Sequence, residues 1–459
     1  MYALGIDLGT TFTAAASWRN GRAEIVTLGT RGAAIPSVVL LKPDDTFLTG
    51  ESAQRRALTQ PSRVAREFKR RLGDTTPILL AGAPYSAEAL TARLLRSVVD
   101  EVAVREGGLP TTVCVSHPAN WGPYKIDLLH QAARMSDLDC PITFTSEPEA
   151  AAASYAQAQR IGPGAVVAVY DLGGGTFDAA VLRKTESGFA IVGHPEGIER
   201  LGGIDFDAAV FNHVARAIDG RLAELDEDDP AAIAAVARLR EECMEAKEAL
   251  SADTDTTIPV LLPNVSTEVR LTRGEFEGMV RPALLETIEA LQQALRSAGV
   301  TADQLHSVLL VGGSSRIPVV AQMVGAELGR PVAVDAHPKH AIALGAAWLA
   351  SGSTARSREL RSERARPAPT TSRPAEPWPA ESRPAESRPP EATEPTTPRR
   401  AEPPPRVPEP APPAAPARPA PIYDEPEVAR TTLMPRTKPG PVDRPGRAGG
   451  GGQGPGRKA

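Results

Sequence analysis

One short signature occurs twice in this chain, and it constrains the fold more than any other feature. Asp171-Leu172-Gly173-Gly174-Gly175-Thr176-Phe177-Asp178 stands between two apolar runs, 165–170 and 179–182, that read as buried strands. Three glycines between two strands predict a tight hairpin whose backbone N–H groups are unshielded by any Cβ. Such a turn can close on phosphate oxygens, and its flanking carboxylates suit a magnesium ion with its waters. A near copy, Gly5-Ile6-Asp7-Leu8-Gly9-Thr10-Thr11-Phe12, lies at the N-terminus. The pair predicts a duplicated fold gripping one phosphate chain from both sides. No Walker-type Gly-x-x-x-x-Gly-Lys-Ser/Thr loop is present, so this is not a P-loop protein.

Around these hairpins the pattern alternates strands and helices, the α/β class. Strands are expected at 2–8, 12–19, 23–28, 35–41, 112–115 and 142–145, with Asn20-Gly21 as a hairpin turn. Helices are expected at 51–60, 86–106 and 123–136, and an Ala-rich one runs from Ser146-Glu147-Pro148 to near Gly162. The second half restarts with strands from 165 and continues with helices at 205–219, 230–250 and 274–298. Strands at 256–262, 267–271 and 307–311, a turn at 312–315, and helices at 319–328 and 341–350 complete it.

Composition divides the chain at about residue 353. More than half of the 45 prolines lie beyond that point, in a net basic stretch, so residues 1–352 carry an acidic excess larger than the chain's −5. An acidic folded part argues against nucleic acid as its ligand. The stretch 353–459 has too little apolar content to build a core and reads as disordered. It repeats Ser-Arg-Pro-Ala-Glu at 372–376 and 382–386, and its one apolar segment, 422–434, is a candidate partner-docking motif. Cys114, Cys140 and Cys243 are widely spaced, without metal-site spacing, and read as thiols in a reducing compartment. No basic-then-apolar leader and no membrane-length apolar run is seen, so a soluble, cytoplasmic protein without membrane contact is expected. His117, followed by Pro118, reads as a local structural residue, and no nucleophilic triad is supported.

Several further motifs join the hairpins in a fixed order. They are Pro36-Ser37-Val38, Phe68-Lys69-Arg70, Glu147-Pro148, Leu201-Gly202-Gly203 with Asp205-Phe206-Asp207, Gly312-Gly313-Ser314 with Arg316-Ile317-Pro318, and Leu344-Gly345-Ala346-Ala347. In this combination residues 1–350 resemble the nucleotide-binding domain of the seventy-kilodalton heat-shock chaperones of the DnaK type. The resemblance implies the two-lobed actin-like ATPase fold, with lobes at 1–162 and 163–352 and the tail at 353–459. It implies ATP or ADP with Mg2+ as ligands, and a J-domain or nucleotide-exchange co-chaperone as partner.

Phosphoryl transfer to water needs charge neutralisation, in-line positioning and an oriented water. By the resemblance, Asp7 and Asp178 hold the hydrated magnesium, and Lys69 reaches the γ-phosphate and the attacking water. Glu147 and Asp171 organise water and metal, with Thr176 beside them. Gly9, Thr10, Thr11 and Phe12 with Gly173, Gly174, Gly175 and Thr176 bind the β- and γ-phosphates, and Gly202 and Gly203 flank them. Lys247 and Ser251 meet ribose and adenine; Gly312, Gly313, Ser314 and Arg316 cover the α-phosphate and the base.

The chain departs from the family at several of its positions. Met244 replaces a ribose-binding glutamate, Glu248 a base-stacking arginine, and Lys339 an aspartate near the nucleoside. Ile126, beside Lys125, replaces a relay arginine, and Glu149 a threonine. After Ala350 no acidic-leucine linker, β-sandwich or helical lid is recognisable in the sequence. The leading expectation is a slow ATPase switch without a peptide-binding domain. The alternatives are an ATP-sensing scaffold whose tail docks partners and, more distantly, a small-molecule kinase.

Overall fold

A computed structural model describes residues 1–352, with residues 31, 58, 227, 331 and 335–339 left out. The expected disordered tail, its docking segment and Lys339 lie outside the described residues.

The first sheet is built on a β-meander, β1 (Ala3–Leu8), β2 (Phe12–Arg19) and β3 (Arg22–Val26), with antiparallel pairing throughout. Helices α1 (Gly50–Ala57), α2 (Ala87–Glu106) and α3 (Pro123–Met135) follow in the chain. Two parallel strands, β4 (Thr112–His117) and β5 (Ile142–Ser146), extend the sheet on the other side of β1, giving the order β5-β4-β1-β2-β3. After α4 (Glu147–Ala158) the same plan recurs. A second meander, β6 (Val166–Leu172), β7 (Phe177–Lys184) and β8 (Phe189–Ile198), is extended by parallel β9 (Leu305–Val311) and β10 (Val332–Val334) in the order β8-β7-β6-β9-β10. Each sheet thus has its phosphate-loop candidate at the first turn of its meander. The two sheets make two lobes of like topology, and the fold is the actin-like one.

Helices α5 (Gly203–Ala217), α6 (Pro230–Ala249), α7 (Arg273–Ala298) and α8 (Pro318–Leu328) cover the outer side of the second sheet, where they bury Tyr170, Phe177, Phe206 and Phe276. The inner faces of both sheets pack on α4 and on α9 (residues 341–352). The strand period of two decides which residue goes where. In β6, Ala168, Tyr170 and Leu172 enter the outer core, while Val167 and Val169 face the inner layer. That inner layer is made of small residues because its helices approach at backbone distance. A Cβ on Gly345 would lie 1.7 Å from the Ala150 carbonyl oxygen, and one on Gly5 2.1 Å from the Ala347 nitrogen. Any side chain at either position would drive the lobes' shared layer apart.

Helix ends follow their capping residues. Ser86 caps α2 and Gly107 ends it in the left-handed region; Thr272 and Glu275 form a capping box on α7, which Gly299 ends. Three expectations need correction. The strand expected at 35–41 is two, Ile35–Pro36 and Val39–Leu41, because the Ser37 N–H turns to the Thr11 carbonyl (2.8 Å) instead of continuing a ladder. The Ala-rich helix stops at Ala158, before Gly162, and the helix at 51–60 ends at Ala57. Among the strands expected from 165, β8 had no bounds of its own, since Gly193, Pro195 and Gly197 break its strand signature.

Candidate functional site

The two glycine-rich turns meet face to face at the bottom of one cleft. In the second, the Gly173 N–H donates to the Thr176 carbonyl at 3.0 Å, closing the turn between β6 and β7. In the first, the Ser37 hydroxyl donates to the Gly9 carbonyl at 2.7 Å and shares a 2.9 Å contact with Thr13. That accounts for the Pro36-Ser37-Val38 motif: it braces the first turn. A Cβ on Gly174 would lie 2.0 Å from Thr11 Oγ1, and one on Gly175 2.6 Å from Thr10 Cγ2. Glycine is therefore what lets the turns close on each other. Gly202 packs behind the second turn, where a Cβ would reach 2.6 Å from the Gly175 nitrogen, and the Gly203 and Ile204 N–H groups bond the Gly173 and Gly174 carbonyls.

Lys69 stands on a one-turn 3-10 helix, Phe68–Arg71, entered through Glu67 at φ 55°. Its Nζ donates to Glu147 Oε1 at 2.6 Å. Glu147 is the first residue of α4, whose start is fixed by a Ser146–Glu149 capping box with Pro148 in its first turn. Glu149, a departure from the resembled pattern, thus has a clear job in holding the helix that aims Glu147. Ser116 donates to Asp7 Oδ1 at 3.1 Å. Asp7, Glu147, Asp171 and Asp178 surround one ammonium, and that imbalance shows in their electrostatics. Burial alone would lower the Lys69 ammonium, but Glu147 and Asp7 outweigh it and hold it above its ordinary range. Burial first, then the charge of Glu147, pushes Asp7, Asp171 and Asp178 above the usual carboxylate range.

These carboxylates call for more positive charge than Lys69 supplies. Asp178 Oδ1 is buried without a hydrogen-bond partner. Among the described residues no three acids, histidines or cysteines come together to chelate a metal directly. A divalent cation that keeps its waters and is held through them fits this donor set, as Mg2+ prefers. The residues present therefore fit the group that the sequence implied.

The end of the cleft where the resemblance implies the nucleoside is lined by Met244, Lys247 and Glu248 from one face of α6, with Ser251 in the turn just past the helix. Lys247, 8 % exposed, lies 2.7 Å from Asp207 Oδ1 and donates to the Gly203 carbonyl at 3.2 Å. Opposite it, Gly312 (φ 81°) lies so close to Asp171 that a Cβ would sit 2.4 Å from Oδ1, and Ser314 Oγ donates to the Gly173 carbonyl at 2.8 Å.

Most of the residues singled out from sequence line this single cleft, from Asp7 and Gly9–Phe12 through Lys69, Glu147 and Asp171 to Ser251 and Ser314. Three stand apart. Gly202 supports the second turn from behind. Arg316 is exposed at the end of its 3-10 turn, outside the cleft lining. Asp178 faces a smaller cavity on the far side of Thr176. Sequence reasoning missed Asp207, although its motif was noted: on α5 it lies two residues beyond Asp205, which turns back to the Gly202 N–H (2.8 Å), and so points elsewhere, toward Lys247. Ala14, Ala34 and Ile342 also line the cleft, and apolar residues carry no chemical signal.

Comparison with protein-family models matches residues 3–79 and 75–360 to a family described as Hsp70 protein.

Proposed function

The chain belongs to the Hsp70 family, and from that premise we propose that it is a slow ATP hydrolase acting as a chaperone-related nucleotide switch in the cytoplasm. The family supports a chaperone-type ATP-binding domain; the turnover, the switching and the individual residue roles are our reading. What carries it is the Lys69–Glu147 pair at 2.6 Å, set between Asp7 and Asp178 where the two glycine turns meet.

In this reading the exposed N–H groups of Gly9–Thr11 and Gly173–Thr176 bind the terminal phosphates of ATP, with the Thr10, Thr11 and Thr176 hydroxyls beside them. Lys69 stabilises charge developing on the transferred group and positions the attacking water, while Glu147 fixes the ammonium. Asp171, kept above its ordinary range by burial and its neighbours, orients water at the same point. Asp7 and Asp178 hold hydrated Mg2+, which when bound neutralises the phosphate charge. Gly202 and Gly203 brace the second turn, Lys247 and Ser251 take the ribose and adenine, and Gly312, Gly313 and Ser314 the α-phosphate. Arg316 approaches the base only if its exposed side chain swings in. Slow turnover suits a switch, because each lobe arrangement must persist long enough for a co-chaperone or tail-bound partner to read it.

A second reading, an ATP-sensing scaffold with little turnover, is favoured by Met244 and Glu248 in the nucleoside lining. Single-turnover measurements with γ-labelled ATP and Mg2+, alone, with a J-domain protein and with sugar acceptors, separate the readings. Orthophosphate release, stimulated by the J-domain protein, is the expected result. Tight binding without cleavage selects the scaffold, and label transferred only to an acceptor selects a kinase.

A further inference from the structure

The nucleotide cleft does not end at Lys69. Thr10, Lys69 and Thr176 form its deep wall, and the same three residues are the near wall of a second cavity, whose far side is Asn120, Trp121, Lys125 and Glu199. Three buried polar atoms around this second cavity have no hydrogen-bond partner: Arg70 Nε, Asn120 Oδ1 and Asp178 Oδ1. Asp178 is 4 % exposed. Buried polar atoms are nearly always satisfied, so three unsatisfied ones around one small space mark it as wet. As closed, it has room for about one water molecule, with enough polar partners to hold it.

We propose that this cavity is the passage by which orthophosphate leaves after hydrolysis, and that the Lys125–Glu199 ion pair is its gate. The proposal rests on the ATPase reading above. ADP left in the cleft keeps its ribose and base between the cleaved phosphate and the nucleoside mouth, so the free route lies past Lys69. That route crosses the seam between the lobes. Lys125 comes from α3 on the first lobe, and Glu199 follows β8 on the second; the two side chains form a direct ion pair. Asn120 abuts the same strand, for a Cβ on Gly197 would lie 2.0 Å from its Nδ2.

Trp121 ties the two ends of the passage together. Lys69 Nζ is 5.7 Å from its ring centroid and Lys125 Nζ 5.9 Å, so one indole sits against the lysine at the inner wall and the lysine at the gate. The His117 ring stacks on the same indole at 6.4 Å and holds it in place. The lining mixes signs: Lys69, Arg70 and Lys125 attract an oxyanion, while Glu199 keeps it from lodging. Glu199 is 62 % exposed, so the gate is a weak one that opens on thermal motion.

The test uses Glu199→Ala and Lys125→Ala in the full chain. Phosphate release is followed with a fluorescent phosphate sensor after a single turnover, bond cleavage by acid quench, and ADP release with labelled ADP. Each substitution is expected to speed phosphate release about fivefold, the scale of an exposed ion pair, with cleavage and ADP release changed less than about twofold. The exchanged pair Lys125→Glu with Glu199→Lys is expected to restore slow release. Exchange of radiolabelled orthophosphate with the ADP-saturated protein bypasses cleavage and should accelerate by the same factor. It therefore decides the matter where cleavage limits release, or where the wild type cleaves no ATP and the hydrolase reading itself fails. Unchanged exchange in both single variants, or ADP release accelerated as much as phosphate release, overturns the passage.

Discussion

At the phosphate end of the cleft the surface is backbone from two glycine-rich turns, plus one lysine aimed by a buried glutamate. At the nucleoside end it is side chains, Met244, Lys247 and Glu248 on one face of α6 and Ser251 in the turn after it. The difference teaches where such a cleft can drift. A backbone surface changes only when a Cβ intrudes, and at Gly174, Gly175, Gly202 and Gly312 there is no space for one. A side-chain surface changes by single substitutions that cost the fold almost nothing. Met244 and Glu248, both departures from the resembled pattern, fall in the second region.

The contrast can be broken most forcefully at Gly312. Gly312→Ala forces an alanine into a left-handed φ and against Asp171, and is expected to destabilise the protein by about 2–4 kcal/mol in urea unfolding. An unfolding midpoint unchanged from the wild type would show that the backbone end tolerates side chains after all. The opposite end sharpens the contrast in the other direction. Met244→Glu with Glu248→Arg restores a ribose acceptor and a stacking cation, and should tighten ADP about tenfold in calorimetry. Thermal stability should stay the same, and equal affinity would show that the altered residues do not weaken this end.

Of the cysteines, Cys243 reports on the nucleoside end. Burial pushes the Cys243 thiol, next to Met244 on α6, up to about 12, and the Cys114 thiol, in the layer between the sheets, up to about 11. Both are protonated at neutral pH, so thiol-reagent labelling of the native protein should be slow and should rise about tenfold per pH unit between pH 7 and 9. Half-buried Cys140 should label first, and saturating ADP should slow Cys243 severalfold while leaving Cys140 unaffected. The smallest effect is expected from the tail: a chain ending at Gly352 should keep its ADP affinity, and its melting temperature should move by less than about 2 °C. A larger loss would give the tail a part in the cleft.

The sequence carried the phosphate end well, for a physical reason. Two copies of one strand–turn–strand signature placed Asp7, Thr10, Gly174 and Asp171 at hairpins expected to face each other, and these four line one cleft, while their separate roles rest on the resemblance. Lys69 was legible only through its motif, since Phe68–Arg71 has neither helix nor strand periodicity. The bounds of the long β8 were not legible because its glycines and proline conceal a strand whose partner, β7, supplies the register. Contacts across the lobes escaped for a different reason. Arg70 reaching the Gly175 carbonyl and Asp205, or Lys125 meeting Glu199, joins residues far apart in the chain that look like any solvated charges. Only the closure of the two lobes makes them neighbours.

In the proposed function the phosphate end is a working hydrolytic centre with Lys69 as its key group. Single-turnover cleavage of Mg-ATP by the wild type beside Lys69→Ala tests it most directly, with ATP affinity measured on both. The expected result is a cleavage rate lowered at least about a hundredfold in the variant, the scale of losing one charged transition-state contact, with ATP still bound within about tenfold of the wild type. Equal cleavage by both proteins would contradict it.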